Sequence, residues 1–218
     1  MITLHAAVIA SFIAPMLALM IFLAALARRL RFNPQGLGWF VSLGLVALGI
    51  LMIPVAGFPL ARVLAAVIDH WSMPLLALLV TGVVKSFFGA ELLRRQDRRA
   101  MSVFGVAIGL ILYPLALGMG SIDPFAYGWH FGPLFVLVGC AAMLLQWKRN
   151  RFGTVLLMAV FGWLAGVAES GNLWDCLTDP LFFFLSTGAV MSRLVKRTKQ
   201  SLVTTASAPA ATSAAEKS

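Results

Sequence analysis

Apolar residues run along this chain in stretches of about 20, broken by short polar segments, at 6–27, 37–57, 72–92, 101–120, 131–147, 152–168 and 180–195. A helix rises 1.5 Å per residue, so about 20 apolar residues match a ~30 Å hydrocarbon core. In that core the backbone must satisfy its own hydrogen bonds, which leaves helices or a closed barrel. The runs lack the strict alternation of barrel strands. The pattern predicts an all-α, polytopic transmembrane helical bundle of seven spans, one single span followed by three hairpins, over residues 1–199. Residues 200–218 are rich in Ser, Thr and Ala with no apolar period and read as a disordered cytoplasmic tail.

The stretch from Pro59 to Leu93 is too long for one crossing. Leu60, Val63, Leu64, Val67, Ile68 and Trp71 recur at helical spacing, with Arg62 and Asp69 on the opposite side. This predicts an interfacial helix over 59–71, with the next span starting near Pro74 and Lys85 falling near mid-membrane. In the alternative frame the span starts near Leu60 and submerges Asp69 and His70. Either frame holds an ionisable residue at membrane depth, where such groups mark cavities or pathways.

Only 11% of the residues are charged and 61% are hydrophobic, against about 25% charged in a soluble domain. Lipid is therefore the expected solvent. Fourteen of the 17 basic residues fall in four clusters: Arg28, Arg29 and Arg31; Arg94, Arg95, Arg98 and Arg99; Lys148, Arg149 and Arg151; and Arg193, Lys196, Arg197 and Lys199. A seven-span chain puts all four on one side, and short basic loops stay cytoplasmic. The expected location is a bacterial cytoplasmic (inner) membrane, with a periplasmic N-terminus and a cytoplasmic C-terminus. The net charge of +9 is then topogenic, and nucleic acid is not an expected partner. The lipid bilayer and other membrane proteins are. Ala25-Leu26-Ala27 resembles a cleavage site, but the arginines follow the apolar run instead of preceding it, as in an uncleaved anchor. Cys140 and Cys176 offer neither metal spacing nor a disulfide framework.

One self-match stands out. DHWSMPLLALLVTGVVKS, 69–86, aligns without gaps on DCLTDPLFFFLSTGAVMS, 175–192. The match pairs Asp69 with Asp175, Pro74 with Pro180, Thr81-Gly82 with Thr187-Gly188, and Ser86 with Ser192. It suggests an internal hairpin repeat, an arrangement known in transporters with sites at the repeat interface. Pro at a helix start and small residues at helix contacts also recur without any common origin. Gly105/Gly109 and Gly162/Gly166 are small-x3-small pairs expected at helix contacts.

The face opposite the basic clusters collects the candidate chemistry. All three histidines lie there, with five of the eight acids. Asp69, Glu169, Asp175 and His130 are the candidates for an acid–base or divalent-metal site, with no confident metal set and no cofactor indicated. Lys85, His70, Asn172 and Asp179 are the candidates for a ligand or ion pathway. Asp175 and Asp179, spaced i, i+4, share one face if a single helix carries both. Asp179 directly before Pro180 also reads as a helix N-cap, and Asp123 before Pro124 as a turn residue. No P-loop, GxSxG, HExxH or Rossmann signature occurs. The expected function is a small permease-like unit, or an accessory subunit of an envelope or transport complex, with a polar site open to the outer face. The alternative is a membrane-embedded enzyme acting at the outer leaflet on a lipid or lipid-linked substrate.

Overall fold

The computed structural model describes residues 2–67, 71–166 and 171–206. The described chain is mainly helical: α1 (Ile2–Arg29), α2 (Leu37–Leu51), α3 (Leu60–Val67), α4 (Met73–Phe88), α5 (Arg95–Ala116), α6 (Pro133–Trp147), α7 (Phe152–Leu164), α8 (Leu173–Leu177) and α9 (Pro180–Ala206). A two-residue turn at Ala56 and Gly57, both at positive φ, joins the short antiparallel strands β1 (Pro54–Val55) and β2 (Phe58–Pro59). Among the described residues two helices are long and apolar enough to cross a bilayer, α1 over Phe12–Arg29 and α5 over Arg95–Ala116. The apolar helices α2, α4, α6 and α7 have 15, 16, 15 and 13 residues, or roughly 20–24 Å at 1.5 Å per residue. Helix α9 runs unbroken to Ala206, so the segment read as disordered from residue 200 begins as helix.

Two hydrophobic cores share α4. The smaller joins Met20 and Ala24 of α1, Ala47 of α2, and Val83 and Phe87 of α4. The larger gathers Leu75 of α4 with buried residues of α5 to α9, including Met101, Phe152, Leu156, Leu177 and Phe182. Packing does not follow the order of the expected hairpins. Helix α5 lies along α9, α6 along α7, and α4 along α1. At the α5–α9 seam a Cβ on Gly105 would strike Ser186 and Phe182, and one on Gly109 would strike Phe183. These two glycines therefore do set a close helix contact. In the other pair only Gly162 packs, against Met73, whereas Gly166 takes a positive φ just past α7.

The two copies of the sequence match are alike locally and differ in their surroundings. Thr81 donates to Ala77 O at 2.7 Å, and Thr187 donates to Phe183 O at 2.9 Å, at equivalent positions of α4 and α9. Pro74 and Pro180 both lie in a first turn. Yet Gly82 packs on Ile21 of α1, while nothing lies near the equivalent point on Gly188.

All four basic clusters come to one end of the bundle. Gly36 N–H, just after the first cluster, donates to Phe87 O at the end of α4. Asp97 bridges the second and third clusters, and Arg193 of the fourth reaches Ser102 of α5 at 3.4 Å. The segments around Ser72, Asp123, Asn172 and Asp179 meet at the other end.

Candidate functional site

At the acidic end, side-chain polar groups hold the segments to one another. Asp123 caps the 3₁₀ turn Pro124–Gly128 by accepting from Phe125 N at 2.9 Å. Asn172 caps α8, its Oδ1 accepting from Trp174 N at 3.0 Å, and its Nδ2 donates to Phe125 O at 3.0 Å. Trp174 Nε1 donates to Pro124 O at 2.8 Å. Gly128 lies so close to the Asn172 amide that a Cβ there would collide with it. Trp163 Nε1 donates to Gly171 O at 2.7 Å.

Asp179 is the central group and is only 3% exposed. One carboxyl oxygen accepts from Phe182 N at 2.8 Å and so caps its own helix, α9. The other accepts from Ser72 N at 3.0 Å and Ser72 Oγ at 2.5 Å, and Ser72 is the N-cap of α4. One side chain thus joins the starts of the two helices that share the sequence match. Asp175 lies in α8 and Asp179 beyond it, with Thr178 extended between them, so the two do not share one helix face. The buried hydroxyls of Tyr113 and Thr178 are neighbours at this end, yet neither completes a hydrogen bond of normal geometry among the described residues. Cys176 is buried here; burial first, and the nearby Asp175 second, push its thiol up to about 11.

The remaining candidates fall out as follows. Asp69, His70 and Glu169 lie outside the described residues. His130 is exposed. Asn172 is fully buried, and its amide serves a helix cap and a loop contact. Lys85 lies in the last turn of α4, paired with an acid of the following segment. It stands one turn before Gly89, the residue that ends α4, with its side chain 57% exposed and its Nζ 2.6 Å from Glu91. The hydrogen bond and charge of Lys85 hold the Glu91 carboxyl below the usual carboxylate range. The apolar stem lets the ammonium extend past the helix end to Glu91. Among the described residues, no three His, Cys, Asp or Glu side chains converge as a metal site would require.

Sequence reasoning passed over one group, Asp97, which is fully buried among arginines. Its Oδ2 accepts from Arg94 N at 2.8 Å and its Oδ1 from Arg151 N at 3.1 Å. Arg98 Nη1 donates to Leu93 O at 2.8 Å, and Arg151 Nη1 donates to Leu92 O. The signal was present, because an acid three residues after a helix N-cap is capping-box spacing.

No family model, curated protein or solved structure matches the chain.

Proposed function

We propose that this chain is a multi-pass protein of a bacterial cytoplasmic membrane, seven-spanning with N-terminus out and C-terminus in, that serves as a non-catalytic subunit of an envelope or transport complex. Large apolar side chains such as Phe22, Leu45, Ile111, Leu137, Phe161 and Phe184 stand exposed on the outer faces of the helices, a surface suited to lipid and not to water. The gathering of the basic clusters at one end supports the orientation.

The observation that carries the non-catalytic reading is how the polar groups of the acidic end are used. Asp179, Ser72 and Asn172 are buried, and their atoms are occupied by backbone and hydroxyl partners that lock segments together. A catalytic group must instead reach a substrate in a suitable geometry. The pairing of Lys85 with Glu91 supports a structural use of that charge as well.

The test is complementation of a deletion strain, read as its envelope lipid and glycan profile, with D69N, H130A, E169Q and D175N. A non-catalytic subunit retains its function with each. Loss of function in a variant that still accumulates in the membrane would assign catalysis to that residue and overturn the reading.

A further inference from the structure

A groove of about 620 Å³ runs between α1 and α7 and is floored by α4. It exists because α1 and α7 each pack on α4 from different hydrophobic cores. Ile13 forms one wall, Val155 and Met158 the other, and Leu76, Ala77 and Val80 the floor. At the basic end Arg151 closes the groove, beside Leu92 and Thr154. This arginine is exposed yet held in place. Its N–H is fixed by Asp97, and its guanidinium donates through Nη1 to Leu92 O. Lys148 and Arg149 stand on the same loop.

We propose that this groove binds one acyl chain of an anionic phospholipid from the leaflet at the basic end, with the lipid phosphate on Arg151. The inference rests on the membrane reading above. Three features favour this occupant. The walls are apolar along their length and suit a hydrocarbon chain. The groove's volume falls in the range of small-molecule sites. The cation among the groove's lining residues, Arg151, lies at the end where a lipid of that leaflet carries its phosphate, and guanidinium matches phosphate through paired donors. Nearby Glu91 does not oppose the phosphate, because Lys85 neutralises it.

Carbonate extraction of membranes containing the full chain tests the membrane reading separately. The full chain, purified in mild detergent, is then examined by native mass spectrometry with added phosphatidylglycerol or phosphatidylcholine. Phosphatidylglycerol should be retained about fivefold more than phosphatidylcholine, the scale of one basic residue near an anionic headgroup. R151Q should abolish that preference, and R151K should keep part of it. A77W or M158W, which fill the groove, should lower retention of both lipids without touching the charge. Equal retention of the two lipids by the native chain would overturn the proposal. So would an unchanged preference in folded R151Q, undiminished retention in both groove-filling variants, or displacement of the lipid by millimolar inorganic phosphate. If the chain sits in the membrane but shows no preference, the lipid site fails and the membrane reading stands.

Discussion

The two ends of this bundle are held by the same device in opposite surroundings. At the acidic end Asp179 gives one carboxyl oxygen to its own helix start and the other to Ser72 at the start of α4. At the basic end Asp97 gives one oxygen to Arg94 N in its own first turn and the other to Arg151 N in a different loop. Both are buried. A carboxyl group has acceptor sites on two oxygens, so it can cap a helix and still reach a second segment, which a serine or threonine cap does less readily. What differs is the neighbourhood. Asp179 faces a hydroxyl and two backbone N–H groups, and Asp97 sits among arginines whose side chains also bond backbone carbonyls. The lesson is that local charge does not reveal a latch. Its mark is an acid at a helix start with a second segment's N–H within reach.

This comparison can be broken, most severely at Asp179. D179A strands the Phe182 and Ser72 donors in a buried place and should cost about 3 kcal/mol, since each abandoned buried donor costs roughly 1–3 kcal/mol with partial relaxation. Thermal unfolding in detergent should show it, and S72A alone should cost less, because Asp179 still caps Phe182 N and still accepts from the backbone N–H of residue 72. D97A strands two donors nearer to water, where solvent can replace the lost acceptor, and should cost about 2 kcal/mol. A larger loss for D97A than for D179A would mean that the acidic end is not the better sealed of the two.

N172A tests whether the acidic end is one unit. It removes a cap and the tie to Phe125 O, and should cost about 1–2 kcal/mol. G128A should produce a loss in the same range by pushing the Asn172 amide away. If the acidic end is one unit, the double variant costs less than the sum of the two single losses. Additive losses would show that the 3₁₀ turn and α8 are held independently.

Cys176 gives a smaller effect with a defined sign. Its thiol ionises at about 11 in the folded chain and at 9.0 when unconstrained. Between these values the unfolded chain releases a proton that the folded chain retains. Stability is therefore unaffected below 9, and falls as pH rises from 9 towards 11. C176S should remove that component of the slope, and thiol-reactive probes should label Cys176 at pH 8 only after denaturation. The smallest effect belongs to the Lys85–Glu91 pair, which is exposed. The lowered Glu91 ionisation contributes above the ordinary value of 4.5 and is lost as pH falls through the lower folded value. At neutral pH E91Q should leave the unfolding temperature almost unchanged and abolish any salt dependence of that pair.

Much of the architecture was legible along the chain because apolar runs, proline positions and charge clusters are one-dimensional signals. The helical character, the stop after Arg29, the helix starts at Pro133 and Pro180, and the amphipathic α3 all follow from residues within one or two turns. So does the separation of basic from acidic segments, since alternating helices carry alternate loops to opposite ends. Partner choice was not legible, because it depends on which surfaces fit in three dimensions. The α5–α9 seam arises where Gly105 and Gly109 accept Phe182 and Phe183, and it overrides the hairpin order that adjacency suggested. The position of Lys85 depended on a long side chain reaching Glu91, six residues on in the following loop. The pairing of Asp179 with Ser72 joins residues 107 positions apart, and no local pattern encodes a contact of that separation.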